Sequence, residues 1–548
     1  MSVSTTSSAA AGALLKQLQQ VGQTHLLRYL DDLSETEART LISQISKIDF
    51  DLVKKAHAFA IKPPSLQDVQ PLPDSCVITD YRKYELEWKT EGLSQVAAGR
   101  VAAIILAGGQ GTRLGYNGPK GAYNAGFPSK KSIFQFQIER LIKVRALANE
   151  ALATTSATLP LYVMTSDAND SETRDFFEKN SFFGMDPADV FFFEQGMIPA
   201  VTEAEGKVIL ESKSCVAMSP DGNGGLFAAL ERSGAIADME RRGVLYTHVF
   251  AVDNPLSCPG DPMFVGCCVA KSVEAGNLCV AKARWDERVG VAALRDGKFH
   301  VVEYSELTEE MAKKSSGKNL AFGAANICNH FFTTSFLRDK VIPGMKASHH
   351  AARKAIPCVD DPAPKASNGI KLELFIFDAF PLADSYLAMQ VDRESYFAPI
   401  KNASGVDSPE TARQMVTDLH GGWLLRAGAQ LEGTGHCEVS PLVSLSGEGL
   451  DKIVNGLKLR LPLYLGADGP VNLEQFGTND FRITVDFSTA QDGVNHYRVV
   501  AKKPNPDVSA AAKVIMEKLA AVDISKTTPL DALFLLSELK DLASNSNL

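Results

Sequence analysis

The sequence predicts an α/β protein whose central domain is doubly wound and is flanked by smaller N- and C-terminal domains. Short apolar runs, typical of strands buried on both faces, recur through the middle of the chain. Helical patterns lie between them, and a glycine-rich loop follows the first run. Strands that alternate with helices imply crossover connections and a parallel sheet. We place the three domains at residues 1–100, 101–405 and 406–548.

The central domain has the clearest elements. Its first strand is expected at 101–107, where the run VAAIILA ends in two glycines. A continuous apolar run of this length is typical of a strand that is covered on both faces. The further predicted strands are 161–165, 190–193 and 244–252, and the predicted helices are 132–148, 171–179 and 225–242.

The flanking regions are expected to be partly helical. Leucines recur at helical spacing over residues 14–18 and again over 26–33, and prolines between 63 and 73 end the pattern. A proline-rich crossing to about residue 100 would then join this helical unit to the central domain. Two helices are expected to close the chain, at 510–521 and 530–542.

The composition is that of an ordinary globular protein. The 548 residues are 45% hydrophobic and 22% charged, which excludes collagen, coiled coil and general disorder. The net charge of -9 argues against a general nucleic-acid-binding surface, and no apolar run approaches the ~18 to 20 residues that span a bilayer. We therefore expect neither nucleic acid nor a membrane as a partner. The nine cysteines, an odd number without a C-x-x-C pair, are expected to be reduced thiols in an intracellular compartment.

The strongest functional pattern is LAGGQGTRLG, residues 106–115, followed by Pro119-Lys120-Gly121. It stands where a buried strand ends, and ligands of open α/β sheets bind beyond the carboxyl ends of the strands. Its four glycines clear side chains from the path of a ligand, so that backbone N–H groups can face phosphate oxygens. Arg113 and Lys120 add positive charge. The pattern predicts a phosphate-binding loop.

Two familiar phosphate loops do not fit these letters. A dinucleotide fingerprint that starts at Gly109 would need glycine where Leu114 stands. A P-loop whose lysine is Lys120 would need glycine where Pro119 stands, and Ser or Thr in place of Gly121.

The loop with its Pro-Lys-Gly resembles the nucleotide-diphosphate-sugar pyrophosphorylases. The variant with Gln110 and Arg113 is similar to the eukaryotic UDP-N-acetylhexosamine pyrophosphorylases in particular, whereas UDP-glucose enzymes typically have Leu in place of Gln110. The resemblance runs from about residue 100 to 420. It implies a Rossmann-like, GT-A-like nucleotidyltransferase fold. It also implies that UTP and N-acetylglucosamine 1-phosphate are converted to UDP-N-acetylglucosamine and pyrophosphate with Mg²⁺.

Further motifs agree with this family in order along the chain. By the resemblance, UTP and its uridine are held by Leu106, Gly108, Gly109, Gln110, Gly111, Thr112, Gln195, Gly222 and Asn223. The sugar is held by Gly290, Glu303, Asn326, Phe375 and Phe377, and the catalytic cations are Arg113, Lys120 and Lys401. Asp253 ends an apolar strand and is the predicted Mg²⁺ ligand, because Mg²⁺ is usually held by one or two carboxylates and by substrate phosphates. Asp221 is a weaker second candidate.

Some of these residues have a structural alternative. The segment with Asn223 would also serve as a loop and helix cap, Glu303 as a surface strand residue, and Phe375 and Phe377 as core strand residues. The family pattern FNAGN reads FGAAN here, with Gly323 and Ala325 as the departures, which concerns recognition of the N-acetyl group.

Two other functions stay open at the level of sequence: a broad-specificity UDP-sugar or UDP-glucose pyrophosphorylase, and a non-catalytic nucleotide-sugar-binding regulator. We expect a monomer in the cytosol or in a peroxisome-type organelle, because the C-terminal Ser-Asn-Leu resembles a peroxisomal import signal.

Overall fold

The computed structural model describes residues 5–62, 68–317, 319–345, 348–471, 481–486, 493–501 and 539–540. The helix predicted at 510–521, nearly all of the one predicted at 530–542, and the C-terminal tripeptide lie outside these residues.

A mixed sheet forms the centre of the molecule. In spatial order its main strands are Val77–Ile78, Tyr386–Val391, Ala275–Ala281, Ala324–Thr333, Tyr246–Ala251, Val101–Leu106, Leu161–Thr165 and Val190–Glu194. All neighbours in this order are parallel except at Ala324–Thr333, which runs antiparallel to both of its neighbours. An antiparallel meander, Val69–Pro71, Val291–Arg295 and Lys298–Val302, extends the sheet on one side. The four strands predicted from apolar runs are confirmed within two residues.

The strand Val101–Leu106 shows why the domain is doubly wound. Its six residues are at most 8% exposed, and successive side chains enter different cores. Val101, Ala103 and Ile105 belong to the core on one face of the sheet, and Ala102, Ile104 and Leu106 to the core on the other. A strand that alternates between two apolar cores needs helices on both faces, and it therefore reads as a continuous apolar run.

Helices cover both faces of the sheet. They include Glu85–Ala97, Ile133–Ala151, Asp170–Lys179 and Pro262–Ala270 on one face, and Leu226–Arg232 and Ala235–Arg241 on the other. The helices at 132–148 and 171–179 are thus confirmed. The single helix predicted at 225–242 is wrong in one respect, because Gly234 interrupts it at φ 78°, in the left-handed region.

Three helices form most of the N-terminal region: Thr5–Val21, Glu35–Ser46 and Phe50–Ala60. The helical pattern predicted at 26–33 is wrong, since Gly22 at φ 70° leads out of the first helix and two short 3-10 turns follow. These helices share a core with residues 198–216 and 370–372 of the central part. Residues 69–97, which we assigned to the N-terminal unit, contribute strands to the central sheet and the helix Glu85–Ala97 to its core. The domain division itself stays a prediction.

The C-terminal region has its own apolar core, around Trp423, Leu424 and Leu463. Its elements are the helix Pro409–Arg426, the paired strands Gln430–Glu432 and Lys458–Arg460, and a sheet of Cys437–Val439, Leu463–Gly466, Asn495–Ala501 and Phe481–Asp486.

A buried polar network joins this region to the central one. Lys131 Nζ lies 2.5 Å from Glu139 Oε2 and donates to the Tyr464 hydroxyl over 2.7 Å. Glu438 accepts the Ser129 amide over 2.8 Å, and its Oε1 has no hydrogen-bond partner among the described residues. Burial raises the pKa of Glu438 to about 7, against the opposing charge of Lys131.

Two predictions from composition can be compared with the structure. All nine cysteines are free thiols, as expected. None of the described helices combines the length and the apolar character that crossing a bilayer requires.

Candidate active site

The glycine-rich loop leaves the carboxyl end of the strand Val101–Leu106, as predicted. It passes through a short 3-10 turn, Thr112–Leu114, which ends at Gly115 with φ 70°, a conformation that favours glycine. The Gly111 amide donates to the Gly118 carbonyl over 2.9 Å, so the loop closes on itself. The glycines therefore give residues 108–120 a compact, hooked shape at the edge of the sheet, and we call this loop the crook.

Two polar side chains that follow the neighbouring strand fix the start of this crook. Ser166 Oγ donates to the Gly108 carbonyl over 2.8 Å, and Asn169 Nδ2 donates to the carbonyls of Ala107 and Gly109 over 2.9 and 3.3 Å. In a trans peptide the N–H points opposite to the preceding C=O. The amides of residues 108–110 therefore point away from Ser166 and Asn169, as a cradle for phosphate oxygens requires.

The side chains around the crook have distinct roles. A Cβ at Gly108 would lie 2.9 Å from Gln195 Oε1, so the glycine leaves room for this amide beside the loop. Gln110 donates to a backbone carbonyl after the neighbouring strand over 2.8 Å and thus braces the loop. Leu106 belongs to the core, and Thr112 is exposed at the rim.

Lysines and carboxylates meet beyond the neighbouring strand Tyr246–Ala251. Lys120 Nζ lies 3.5 Å from Asp253 Oδ2, and the Asp253 carbonyl accepts the amide of the residue before Lys401 over 2.8 Å. Lys401 Nζ lies 3.9 Å from Asp407 Oδ2. Burial raises the pKa of Asp407, and the charge of Asp253 adds to this effect. The structure therefore brings the predicted residues Lys120, Asp253 and Lys401 together, while Arg113 is exposed on the crook.

Asp253 suits a divalent cation that is shared with a substrate. Its carboxylate is 20% exposed and has a lysine on one side only among the described residues. Within the described part of the chain, no three or more His, Cys, Asp or Glu side chains are arranged so that they could hold a metal ion. A single carboxylate next to a phosphate loop nevertheless matches how Mg²⁺ is commonly held, with substrate phosphates completing its shell.

Asp221, the weaker metal candidate, has different surroundings. Its carboxylate packs on Gly196 and Gly225, where an added Cβ would lie 2.1 and 1.9 Å from the nearest oxygen. Burial raises the pKa of Asp221 to about 6, and Arg232 opposes this rise. The cation near Asp221 is thus Arg232, whereas Asp253 lies beside Lys120.

The segment around Gly222 and Asn223, which the sequence predicts to hold the uridine, is itself held by backbone contacts. Gly222 has φ 87°, and a Cβ there would lie 2.3 Å from the Leu374 carbonyl, so the position requires glycine. Asn223 Oδ1 accepts the Ile376 amide over 3.0 Å and does not cap the following helix. The helix-cap alternative therefore fails for Asn223, which instead connects the uridine segment to the segment with the two phenylalanines.

The predicted sugar residues meet at the edge of the meander. The Asn326 amide donates to the Gly290 carbonyl over 2.8 Å, and a Cβ at Gly290 would lie 3.0 Å from Glu303 Oε1. Burial raises the pKa of Glu303, and the neighbouring Glu306 adds to the rise. Glu303 is a half-buried acid beside a glycine rather than an open surface residue. A donor-rich ligand such as a sugar suits such a group.

Phe375 and Phe377 were each predicted as a residue of the sugar site or of the core, and the structure separates the two. Their rings stack with centroids 5.0 Å apart. Phe377 is 8% exposed and belongs to the core, whereas Phe375 is half-buried and covers it. The His350 ring also packs on Phe375, with the two ring centroids 4.7 Å apart. The wall function is thus available to Phe375, and Phe377 supports it.

Ala325, which stands in place of the glycine of the family pattern FNAGN, mainly affects packing. Ala325 is fully buried in a core of the sheet, whereas the next residue, Asn326, is half-exposed. Because successive strand residues point to opposite faces, the extra methyl of Ala325 lies on the face opposite to that of Asn326.

Sequence reasoning missed several residues of the site: Ser166, Asn169, His350, Asp378 and Asp407. Polar residues just after a buried strand can be recognised in a sequence as candidate site residues. Ser166 and Asn169 have this position, in the segment TSDAND. His350, Asp378 and Asp407 had no such signal, since each acts through a partner that only the tertiary structure brings close.

A groove of about 1030 Å³ lies next to this site but not at the crook. It is lined by Gln195, Gly196 and Asp221 together with Lys47 and Leu52 of the N-terminal region. Gln195 lines the groove and also lies beside Gly108 of the phosphate loop, so the groove adjoins the loop. We place the chemistry at the loop because Lys120 and Asp253 lie there.

The family described as UTP–glucose-1-phosphate uridylyltransferase has a model that matches residues 54–458. The chain belongs to this family. The UDP-N-acetylhexosamine pyrophosphorylase-like protein 1 of Homo sapiens is 42% identical over 492 residues, which cover 82% of this chain and 96% of the relative. The probable UDP-N-acetylglucosamine pyrophosphorylase of Dictyostelium discoideum is 38% identical and covers 81% of this chain and 96% of its own length.

Solved structures agree with this family. The uridine diphosphate N-acetylglucosamine pyrophosphorylase from Trypanosoma brucei, in complex with an inhibitor, superimposes with a TM-score of 0.69 at 30% identity and covers 82% of this chain and 95% of its own. The putative UDP-N-acetylglucosamine pyrophosphorylase from Entamoeba histolytica gives a TM-score of 0.65 at 32% identity and covers 72% of this chain and 99% of its own. The resemblance and the nucleotidyltransferase fold inferred from sequence are confirmed.

Proposed function

We propose that the chain is a uridylyltransferase that makes UDP-N-acetylglucosamine and pyrophosphate from UTP and N-acetylglucosamine 1-phosphate. The observation that carries this proposal is the phosphate crook, with the amides of residues 108–110 turned outward beside the Lys120–Asp253 pair. Relatives 34–38% identical, in Dictyostelium, Arabidopsis and Saccharomyces cerevisiae, carry UDP-N-acetylglucosamine pyrophosphorylase or diphosphorylase names and support the choice of substrate.

The chemistry fits the groups that the site contains. The attacking sugar phosphate is already an anion, so its oxygen attacks the α-phosphorus of UTP without a general base, and the bond to the leaving pyrophosphate breaks in line. The main barrier is repulsion between two polyanions, which positioning and charge neutralisation lower. Arg113 and Lys120 would stabilise the charge that develops on the triphosphate. Lys401 would steady the incoming sugar phosphate.

Asp253 would hold Mg²⁺ in this proposal. When bound there, Mg²⁺ would neutralise phosphate charge and orient the triphosphate. The support is the half-buried carboxylate at a strand end beside the phosphate crook. Lys120 then has two tasks, since it faces both that carboxylate and the loop.

We further propose a monomer in the cytosol or in a peroxisome-type organelle. The C-terminal Ser-Asn-Leu supports the second location. Light scattering of the purified chain tests the first point, and localisation of a fluorescent fusion with and without the last three residues tests the second.

A pyrophosphate-release assay tests the activity. UTP is combined in turn with the 1-phosphates of N-acetylglucosamine, N-acetylgalactosamine and glucose. We expect the N-acetylated sugars to be preferred over glucose. A tenfold preference for glucose 1-phosphate would instead support the UDP-glucose alternative. Binding of UTP without any release of pyrophosphate would support a non-catalytic regulator.

A further inference from the structure

His350 occupies a position that joins the sugar-binding residues to one another. It begins the strand His350–Lys354, which pairs with Gly369–Glu373 and sets His350 opposite Glu373. This pairing places the His350 ring beside the segment that follows the strand Gly369–Glu373. The residue has no part in the family motifs discussed above.

His350 and Asp378 together clamp the aromatic wall. His350 Nε2 lies 3.0 Å from both carboxylate oxygens of Asp378, and Asp378 Oδ2 accepts the Phe375 amide over 2.9 Å. The imidazole also packs on the Phe375 ring. The backbone and the ring of Phe375 are therefore held by the same ion pair.

His350 also lies within the electrostatic reach of three acids. Asp378, Glu306 and Glu303 all favour its charged form and raise its pKa above the ordinary value, although burial opposes them. In return, His350 and Lys401 oppose the rise in the pKa of Glu303. The remaining charged neighbours are Arg295, which pairs with Glu306 over 2.5 Å, and Glu373 across the strand pair.

We propose that His350, as an imidazolium, is a positioning residue for the sugar 1-phosphate: it fixes the ring and backbone of Phe375 through its own ring contact and through Asp378. The inference rests on the proposed function and deepens it, because it assigns control of sugar affinity to a group outside the UTP-binding loop. None of the contacts of His350 described above reaches residues 106–120, and the segment that it holds meets the predicted uridine residues only through backbone bonds such as that of Ile376 to Asn223. We therefore expect its main effect on the sugar substrate.

The charge of His350 determines how the KM for the sugar phosphate should change with pH. His350 is charged below its folded-state pKa and loses the proton as the pH rises through that value. The KM for N-acetylglucosamine 1-phosphate should therefore increase at alkaline pH, whereas the KM for UTP should not follow it.

Steady-state pyrophosphate release from pH 7 to pH 9 tests this, with each substrate varied while the other is saturating. We expect His350→Gln to raise the sugar phosphate KM by about tenfold at pH 7, the value of one lost charge-assisted contact, and to flatten its pH profile. The KM for UTP should change by less than about twofold. His350→Arg, which keeps the charge, should retain a low KM to higher pH, and His350→Phe, which keeps only the ring, should behave like the Gln variant.

His57→Gln is the matched control, since His57 lies on an N-terminal helix and its Nε2 donates to the Glu203 carbonyl over 2.8 Å, apart from the contacts that His350 makes. It should leave both KM values and the pH profile as in the wild type. An active wild type with an unchanged sugar KM in His350→Gln would overturn the inference alone, as would a retained pH profile in that variant. A wild type that releases no pyrophosphate with any sugar 1-phosphate would overturn the proposed function, and this inference with it.

Discussion

Arg113 and Lys120 are both cations of the phosphate crook, but their surroundings differ. Lys120 is half-buried and faces Asp253, whereas Arg113 is exposed on the 3-10 turn and makes no ion pair with a described residue. An exposed guanidinium with no structural partner is free to form a fork with phosphate oxygens. Its contribution should therefore appear in turnover and not in stability.

We expect Arg113→Ala to lower kcat by about 10²- to 10³-fold, as for removal of one preorganised group that stabilises transition-state charge. The melting temperature should stay within about 1 °C, because the side chain packs against nothing that folding depends on. Pyrophosphate release and a thermal melt measure the two quantities. Arg39→Ala, at an exposed arginine 66% accessible on an N-terminal helix, is the control and should leave kcat unchanged. Near-normal turnover in Arg113→Ala would contradict charge neutralisation by this residue.

Asp253→Asn should raise the Mg²⁺ concentration needed for half-maximal activity and lower kcat by about 10²-fold or more, because an amide is a poor ligand for a hard cation. A Mg²⁺ titration of initial rates checks this. Asp360→Asn, at a carboxylate 65% exposed near the N-terminal helices, should leave the titration curve in place. If the curve of Asp253→Asn overlaid that of the wild type, another group would have to hold the metal.

At the scale of elements, the sequence predicted what short-range patterns determine. The run at 101–107 had to be a strand, because six consecutive apolar residues enter two cores in alternation. The sequence does not reveal that Ala324–Thr333 runs antiparallel to its neighbours, since a strand buried on both faces is apolar in either direction. The same distinction applies to the site. Residues 106–115 were readable as a loop, whereas the contact of His350 with Asp378, 28 residues later, depends on the pairing of two strands.

Asn169 offers an element-scale test of the phosphate loop. It is 1% exposed, and its Nδ2 donates to two carbonyls of the phosphate loop while its Oδ1 accepts the Ser166 amide of its own loop. Asn169→Ala leaves buried carbonyls without donors, at a cost of about 1–3 kcal/mol in unfolding free energy. The KM for UTP should rise by about tenfold because the crook loosens.

Asn149→Ala is its control, because Asn149 braces a loop far from the crook through the Ala157 amide. It should lose stability without a change in KM. Denaturant unfolding and initial-rate kinetics separate the two effects. An unaltered KM for UTP in Asn169→Ala would mean that the carbonyl anchors do not shape the crook.

At the scale of the whole molecule, the network of Lys131, Glu139 and Glu438 controls how firmly the C-terminal region joins the central one. The folded-state pKa of Glu438, about 7, lies above the ordinary glutamate value, so the folded chain holds a proton that the unfolded chain releases first. Stability from this group is therefore present at low pH and is lost as the pH rises towards 7 and beyond.

Glu438→Gln should accordingly raise the free energy of unfolding more at pH 8 than at pH 5, by on the order of 1–3 kcal/mol. The amide keeps the acceptor for Ser129 and avoids a buried charge. Chemical denaturation at the two pH values measures the difference. Glu432→Gln, at an exposed glutamate of the same region, should show little change at either pH. An equal effect of Glu438→Gln at both pH values would contradict a titrating Glu438.

The reversed strand Ala324–Thr333 has a wider consequence. Because it runs against its neighbours, its beginning lies at the edge where they end, and Asn326 reaches the sugar side without a crossover helix. The connection before it, residues 303–323, leads from the strand Lys298–Val302 to this edge, where the meander meets the reversed strand at the pair Val291–Ala325. Changes of length or sequence in that connection can alter which sugar is accepted while the nucleotide half keeps its frame, so diversification of the acceptor should concentrate there.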